Sequence, residues 1–289
     1  MDTRNFRAML EAKWDAGKFV CVGLDSEFGK IPKSAHRSGN ESEVDVANTI
    51  VAFNRAIVEA TKDLVCAYKP NAAFYEAHGP DGLVALHRTI VDIRALAPDV
   101  PVIFDAKRAD IGNTNNGYAM EAFDFLRADA ITVHPYFGAE ALQPFLARAE
   151  KGVIVLCHTS NKGAGELQDV DVSGDVVPGG YMPLYKYIAH RVAREWNRNG
   201  NCALVVGATY PDQLREVREV VGDMPILIPG VGKQGGDVEK TVAAGKDSRG
   251  RGMVINSSSG VIFASKESDF AEAARAETEK LHHLINQCR

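Results

Sequence analysis

The chain has 289 residues, of which 45% are hydrophobic and 25% charged, and its formal net charge at pH 7 is −5. These values are ordinary for a soluble globular enzyme, and the length suits one α/β barrel or two average domains. Acidic and basic residues are interspersed along the chain, which excludes the concentrated basic field that nucleic-acid binding requires. A small phosphorylated ligand needs only a few local donors and stays compatible with this composition.

The cysteine pattern predicts reduced thiols. The five cysteines are Cys21, Cys66, Cys157, Cys202 and Cys288, and none belongs to a Cys-x-x-Cys pair or a zinc-like cluster with histidine. The first four lie in apolar runs, where a free cysteine behaves as a small hydrophobic residue. The amino terminus has no signal-peptide core, and no apolar run reaches membrane-spanning length. We therefore expect a cytoplasmic protein without a membrane partner.

Short β-branched runs alternate with longer amphipathic runs along the chain. An opening helix over Asn5–Asp15 is predicted to plug or flank the fold. The predicted strands are Phe19–Leu24, Leu64–Lys69, Val102–Asp105, Ala130–His134, Gly152–Cys157, Cys202–Val206, Ile226–Ile228 and Met253–Ile255. The predicted helices between and after them are Glu43–Ala60, Leu83–Ala97, Asn116–Leu126, Leu184–Arg198, Pro211–Val221 and Asp269–Ile285. Repeated strand-then-helix units predict an α/β fold, a (β/α)₈ TIM barrel, with residues 1–289 as a single domain.

The alternative architecture is an open doubly wound sheet. Fewer strands and a glycine-rich dinucleotide fingerprint after the first strand would favour it, and that fingerprint is absent. Two polar segments, Ser26–Ser42 and Asn161–Pro183, are predicted to be long loops. Because the second leaves from the carboxyl end of a strand, we expect it to act as a lid over an active site.

Charged residues follow three consecutive predicted strands. The third ends in Asp105, with Lys107 and Asp110 close behind, the second ends in Lys69 and the first in Asp25. If the chain stays extended, Asp105 and Lys107 project to the same side. Flanking carboxylates would keep the Lys107 ammonium charged, so that it could stabilise and protonate a carbanion. A solvated salt-bridge run is the competing interpretation of the third strand alone.

The order Lys69, Asp105-x-Lys107-x-x-Asp110 resembles the Lys-Asp-Lys-Asp tetrad of the orotidine 5′-phosphate decarboxylase family, in its longer bacterial branch. Further similar segments follow in the family's order. They are Val22-Gly23-Leu24-Asp25, Thr159-Ser160-Asn161 with Gly163-Ala164, and Pro229-Gly230-Val231-Gly232 with Gln234-Gly235-Gly236. Each match is weak alone, but together they lie at the ends of successive strands along nearly the whole chain.

The resemblance implies decarboxylation of orotidine 5′-monophosphate to uridine 5′-monophosphate, with no cofactor and no metal. Lys107 would protonate C6 of the pyrimidine, Asp105 would lie near the departing carboxylate, and Lys69 would hold Asp105 while touching the ribose. Asp110 and Thr114 would reach across a homodimer into the partner's site. The substrate-binding residues carried over on these motifs are Asp25, Thr114, Ser160, Gln234, Gly235, Ser258 and Ser259.

One position departs from the family's pattern. Ser259 stands where the family has an arginine that pairs with the substrate phosphate. Losing that charge-assisted bidentate bond removes a contact about twice as strong as a neutral hydrogen bond. We hypothesise that Lys233 or Arg251 supplies the missing charge. The alternative is a weakened or altered phosphate specificity.

Three other functions remain open. A metal-dependent sugar-phosphate enzyme of the same barrel group would need carboxylates where Lys69 stands. A Schiff-base aldolase would need an uncharged lysine, which the carboxylates around Lys107 disfavour. A nucleotide-binding pseudoenzyme is suggested by Ser259 alone. His134 and His158, after the fourth and fifth strands, are weaker catalytic candidates because the tetrad already supplies an acid.

Overall fold

The computed structural model describes residues 4–38, 45–174, 177, 179–231 and 236–289. Eight parallel strands form one sheet. Their bounds are β1 Val20–Leu24, β2 Val65–Pro70, β3 Ile103–Arg108, β4 Ala130–Val133, β5 Gly152–His158, β8 Cys202–Val206, β9 Ile226–Pro229 and β10 Met253–Ser257, and β6 Asp171–Ser173 and β7 Tyr181–Pro183 form a separate hairpin. The order of the eight strands in the sheet is β2-β1-β10-β9-β8-β5-β4-β3. Each overlaps a predicted strand, and the ends differ by no more than a few residues.

Hydrogen bonds between the first and last strands of this order close the sheet. The amide of Tyr68 donates to the carbonyl of Pro101 at 3.1 Å, and the amide of Ala72 donates to that of Asp105 at 3.1 Å. Parallel bridges pair Tyr68 with Val102 and Asn71 with Asp105. The sheet is therefore a closed barrel, and the predicted (β/α)₈ fold is confirmed. A closed barrel leaves no strand edge exposed.

Helices cover the outside of the barrel. Their bounds are α1 Phe6–Asp15, α2 Val46–Thr61, α3 Ala73–Glu76, α4 Gly79–Leu96, α5 Asn113–Ala119, α6 Gly138–Ala141, α7 Gln143–Leu146, α8 Gly165–Gln168, α9 Leu184–Arg191, α10 Pro211–Val221, α11 Val238–Gly245, α12 Ser259–Ile262 and α13 Phe270–Cys288. The π-helical turns Met120–Phe125 and Val192–Trp196 extend α5 and α9. Among the described residues, none of these helices combines the length and apolar character of a membrane span.

The opening helix closes the amino-terminal end of the barrel. The Asn5 side chain caps α1 by accepting from the amide of Ala8, which satisfies one free N–H of the first turn. On the buried face, the Trp14 indole donates to the carbonyl of Met253 at 2.8 Å. The Phe6 ring packs on Gly152, where a Cβ atom would lie 2.2 Å from the ring. The helix thus seals the barrel opposite the carboxyl ends of the strands; the sequence predicted a plugging or flanking helix without indicating the end.

The segment Asn161–Pro183 is more regular than expected. It contains α8 and an antiparallel hairpin, β6 Asp171–Ser173 with β7 Tyr181–Pro183. The prediction of a structureless loop was therefore wrong, because strands of three residues are too short to show a readable alternation. Residues 175, 176 and 178 lie outside the described ranges. The lid function of this segment stays a prediction.

The other predicted loop, Ser26–Ser42, is compact where it is described. It forms single turns of 3₁₀ helix at Phe28–Lys30 and Lys33–Ala35, and Ile31 and Ala35 are buried. Residues 39–44 lie outside the described ranges.

Candidate active site

A cavity of about 400 Å³ opens at the carboxyl ends of the barrel strands. Its wall is polar on one side and apolar on the other. The polar wall comes from β10 and β1 to β4 and includes Asp25, Lys69, Asn71, Asp105, Lys107, Thr132 and Asn256, whereas Leu156, Val205 and Leu227 of β5, β8 and β9 form the apolar wall. Such a division fits a ligand that has a flat apolar face and a polyhydroxylated or charged edge.

Two lysines and one aspartate form a continuous ionic array on the polar wall. The Lys69 ammonium donates to Asp105 Oδ2 at 2.8 Å, and the Lys107 ammonium donates to Asp105 Oδ1 at 2.7 Å. The Lys69 and Asp105 side chains are only 4% and 10% exposed, whereas that of Lys107 is 50% exposed. Lys69 is therefore fixed inside the protein, and Lys107 presents its cation to the cavity.

Thr132 is a member of this array that the sequence analysis missed. Its hydroxyl donates to Asp105 Oδ1 at 2.8 Å and accepts from the backbone amide of Lys107 at 3.0 Å. Asp105 Oδ1 thus receives both an ammonium and a hydroxyl, which fixes the carboxylate in one orientation. A threonine in the otherwise apolar β4 was the available signal.

Lys107 reaches the cavity by a different route from the one expected. Its φ angle is +49°, in the left-handed region, and the register between β3 and β4 shifts between Phe104 and Arg108. Alternation along an extended strand is therefore the wrong explanation for the placement of Lys107. A left-handed φ is costly for a side chain other than glycine, and such outliers concentrate at functional sites.

The electrostatics of the array favour the charged forms of Lys69 and Asp105. Burial by itself would lower the pKa of Lys69, but the carboxylates of Asp105 and Asp25 outweigh burial and raise it. Burial by itself would raise the pKa of Asp105, but the ammonium groups of Lys69 and Lys107 outweigh burial and lower it. Both groups stay ionised at neutral pH.

Two buried polar atoms of the cavity wall lack hydrogen-bond partners. Asp25 Oδ1 lies 3.7 Å from the Lys69 ammonium, beyond hydrogen-bond distance, and Asn256 Oδ1 has no donor. Asn256 was another residue missed from the sequence; its Nδ2 donates to the Ser258 hydroxyl at 3.3 Å. Buried polar atoms normally have partners. These two therefore mark where donors of a bound ligand would be accepted.

Three predicted binding serines line the same cavity. Ser160 follows β5, and Ser258 and Ser259 follow β10. Gly23 makes room for Ser258, because a Cβ atom at position 23 would lie 1.9 Å from the Ser258 hydroxyl oxygen. Two further predicted residues, Gln234 and Gly235, lie outside the described residues, as does Lys233.

The remaining tetrad residue does not line this cavity within a single chain. Asp110 follows β3, and its Oδ1 accepts from the amide of Ile111 at 2.7 Å. Its own amide donates to Asn115 Oδ1 at 2.8 Å. Thr114 is exposed on α5. The structure thus brings together Asp25, Lys69, Asp105 and Lys107 but leaves Asp110 and Thr114 outside the group.

Arg251 cannot supply charge to the cavity. Its guanidinium pairs with Asp15 at 2.5 Å and with Glu11 at 3.6 Å, both on α1. Arg251 precedes β10 and so lies at the amino-terminal end of the barrel, whereas Ser259 follows that strand. This half of the charge-replacement hypothesis was wrong.

The two histidine candidates lie beside the cavity but not in its wall. His134 lines a second, mainly apolar cavity of about 530 Å³ between the segments after β4 and β5. His158 is fully buried, and its Nε2 bonds with Asp169 Oδ1 at 2.9 Å. Among the described residues, no group of three histidine, cysteine, aspartate or glutamate side chains could hold a metal ion.

Comparison with known proteins places the chain among decarboxylases. A family model described as "Orotidine 5'-phosphate decarboxylase / HUMPS family" matches residues 19–276. The chain is 46% identical to an orotidine 5′-phosphate decarboxylase of Ralstonia nicotianae, over 98% of this chain and 99% of that protein. A similar enzyme of Cellvibrio japonicus is 45% identical over 99% of each chain.

Solved structures with similar names are also similar to this chain. Leishmania donovani OMP decarboxylase is 36% identical, with a TM-score of 0.79 and coverage of 97% of this chain and 98% of that one. Leishmania donovani UMP synthase gives 38% identity and a TM-score of 0.84 over 99% of this chain. The chain spans 57% of that longer protein.

Proposed function

The chain belongs to the orotidine 5′-phosphate decarboxylase / HUMPS family, and we propose that it is a carboxy-lyase acting on orotidine 5′-monophosphate to give uridine 5′-monophosphate and carbon dioxide. The observation that carries the proposal is the Lys69–Asp105–Lys107 array in a cavity at the barrel's carboxyl end. Active sites of TIM barrels lie at this end.

The chemistry needs a group that stabilises a localised anion. Loss of carbon dioxide leaves the bonding electron pair on C6 of the pyrimidine, where no electron sink can accept it. The Lys107 ammonium faces the cavity, so that it can attract this charge and then donate a proton to C6. Enzymes lower barriers by roughly 8–23 kcal/mol, and a preorganised cation in a water-poor cavity is commonly the largest single contribution.

Asp105 has two roles in this proposal. It receives Lys69, Lys107 and the Thr132 hydroxyl, and so holds Lys107 at one position before the substrate arrives. Its second oxygen would lie near the substrate carboxylate until carbon dioxide departs. Asp25, with its unpartnered Oδ1, would accept from a ribose hydroxyl, and Ser160 would contact the base beside the apolar wall.

The phosphate would lie at the segments after β9 and β10, where barrels commonly bind phosphate. Ser258 and Ser259 line that part of the cavity and offer hydroxyls and amides. Gln234, Gly235 and Lys233 follow β9 in the sequence, and Lys233 remains the proposed replacement for the family's arginine. Lys233→Ala should therefore raise KM for the substrate, and an unchanged KM would contradict this role of Lys233. The alternative, an unreplaced charge, predicts instead that Ser259→Arg lowers KM.

A homodimer with shared sites is part of the proposal. Asp110 and Thr114 lie outside their own chain's cavity, and apolar residues are exposed between them in the sequence and after β4. Ile111 is 61% exposed and Tyr136 is 81% exposed. Burying such residues against a second copy would bring Asp110 and Thr114 to the partner's cavity.

The setting of the enzyme is part of the proposal as well. We place it in de novo pyrimidine synthesis in the cytoplasm, with residues 1–289 acting as one domain. All five cysteines are free, and four are buried. Burial raises the pKa of Cys21 to about 12 and that of Cys202 to about 12, so both stay protonated and unreactive.

A direct assay tests the reaction. Purified protein is mixed with orotidine 5′-monophosphate, the loss of substrate absorbance is followed, and the product is identified by chromatography. Formation of uridine 5′-monophosphate at an unchanged rate in the presence of a chelator is expected. No product would refute the proposed reaction, and turnover abolished by the chelator and restored by a divalent metal would favour the metal-dependent alternative.

A further inference from the structure

The turn that carries Ser160 is held from the β8 side by backbone and hydroxyl contacts. The amide of Gly207 donates to the carbonyl of His158 at 2.8 Å, and the Thr209 hydroxyl donates to the carbonyl of Ser160 at 3.1 Å. A Cβ atom at Gly207 would lie 2.6 Å from the Cα atom of Ser160, so the two segments touch through their backbones. The hydroxyl of Tyr210 also donates to the carbonyl of Asn161 at 3.1 Å.

The opposite side of the turn is held by one side chain, that of Gln168 at the end of α8. Its Oε1 accepts from the backbone amide of Thr159 at 2.8 Å, and its Nε2 donates to the Thr159 hydroxyl at 2.9 Å. The Thr159 hydroxyl in turn donates to Asn161 Oδ1 at 2.7 Å. One amide side chain therefore bridges both ends of the loop between residues 159 and 168.

A second contact supports this arrangement one residue away. Asp169 Oδ1 bonds with the Nε2 atom of the fully buried His158 at 2.9 Å. The His158 ring packs against Tyr185 and Tyr210, with ring centroids 5.1 Å and 4.5 Å away. The consecutive residues 168 and 169 thus contact the consecutive residues 159 and 158, and α8 is tied to the end of β5.

We propose that Gln168 is a positioning residue that fixes Ser160 against the base of the bound nucleotide. The inference rests on the proposed function. Gln168 lines the second cavity and not the main one, whereas its partner Thr159 and the next residue, Ser160, line the main cavity. Its action on a nucleotide must therefore pass through the turn.

The physical reason lies in the hydrogen bonds that Thr159 makes with Gln168. Without the Gln168 amide, the Thr159 N–H and hydroxyl lose the partners that hold the turn in one conformation. Leaving donors of this part-buried turn unsatisfied is costly, so the turn would rotate toward water or another acceptor. Ser160 follows directly and would lose its fixed position. Holding such a group in place before binding preserves affinity, because the ligand does not have to order it.

The test compares two ligands that share a phosphate and a ribose. Binding of uridine 5′-monophosphate and of ribose 5-phosphate is measured by calorimetry for wild-type protein and for Gln168→Ala. We expect the nucleotide to bind about three- to tenfold more weakly to the variant, the range of one or two ordinary hydrogen bonds, and ribose 5-phosphate to bind unchanged. Gln168→Glu keeps an acceptor for the Thr159 amide and should restore most of the affinity.

Controls separate positioning from general damage. Glu166→Gln changes an exposed residue of the same helix and should leave both affinities unchanged. In a Ser160→Ala background, Gln168→Ala should add little, because its effect passes through Ser160. Equal weakening of both ligands, or unchanged nucleotide binding in Gln168→Ala, would overturn the inference.

Failure of the proposed function has a different signature. Wild-type protein that binds neither ligand and does not turn over orotidine 5′-monophosphate would refute the function and the inference together. Wild-type protein that decarboxylates its substrate, with a Gln168→Ala variant of unaltered nucleotide affinity, would refute only the role of Gln168.

Discussion

Removing the charge of Asp105 tests the energetics of the ionic array. In Asp105→Asn, the buried Lys69 ammonium loses its carboxylate at 2.8 Å and keeps that of Asp25 at 3.7 Å. Breaking a buried ion pair by removing one partner costs about 3–5 kcal/mol. Because Asp25 remains and asparagine can still accept a hydrogen bond, we expect a loss of about 3 kcal/mol in the free energy of unfolding, the lower end of that range. Lys107 is half exposed and should add little.

The matched control is the double variant Lys69→Met/Asp105→Asn. It removes both charges and leaves neutral side chains of similar volume, an exchange that is often neutral or stabilising. The double variant should therefore be more stable than Asp105→Asn, although both should be inactive. Urea unfolding followed by far-ultraviolet circular dichroism, at equal protein concentrations, measures the difference.

The pH dependence follows from the signs of the two pKa shifts. Asp105 has a lowered pKa, so its contribution is present above the unfolded value of about 3.9 and is lost as pH falls through the folded value. Lys69 has a raised pKa, so its contribution is present below the unfolded value of about 10.4 and is lost as pH rises through the folded value. The stability difference between wild type and Asp105→Asn should hence be constant from about pH 5 to 9. This reasoning would be refuted if Asp105→Asn were as stable to unfolding as wild type. It would also be refuted if the Lys69→Met/Asp105→Asn double variant were less stable than Asp105→Asn.

Two further predictions concern the turn and the dimer. Gly207→Ala should weaken nucleotide binding by about tenfold or more, because its Cβ atom would lie 2.6 Å from the Cα atom of Ser160 and displace the turn. Gly29→Ala, with open space around it, is the control and should bind normally. Mixing inactive Lys107→Ala and Asp110→Ala proteins under conditions of subunit exchange should recover up to roughly a quarter of wild-type activity, because a mixed dimer with crossed sites contains one intact site. No recovery despite proven exchange would place Asp110 in the site of its own chain.

The barrel could be predicted because its signals are local. Each strand is a short β-branched run followed by an amphipathic helix, and the core bounds of β8 and α10 agree with the predicted Cys202–Val206 and Pro211–Val221. The hairpin of β6 and β7 gave no such signal, because its three-residue strands are stabilised by their pairing and not by a buried face.

The ionic array was predictable in part. Parallel barrel strands end at the same rim, so strand-end charges such as Asp25, Lys69 and Asp105 had to converge. The left-handed φ of Lys107 and its bond with Thr132 could not be predicted, since they depend on the register between β3 and β4. Proximity in the sequence also led to one wrong expectation, the role assigned to Arg251.

Arg251 is eight positions from Ser259, which made it a plausible source of charge. The five-residue strand β10 separates them, however, and at about 3.3 Å per residue a strand carries its two ends to opposite rims of the barrel. Gln168 was missed in the sequence for a different reason. It lies in a polar segment without periodicity, and its importance comes from a contact with Thr159 that only folding creates.

The most direct measurement of the central claim is the decarboxylation rate of Lys107→Ala beside that of Lys266→Ala, an exposed lysine far along the chain. Loss of the cavity-facing ammonium should reduce kcat by at least about a hundredfold, the lower range for a positioned proton donor, while Lys266→Ala keeps the wild-type rate. A Lys107→Ala protein that decarboxylates orotidine 5′-monophosphate as fast as wild type would contradict the account.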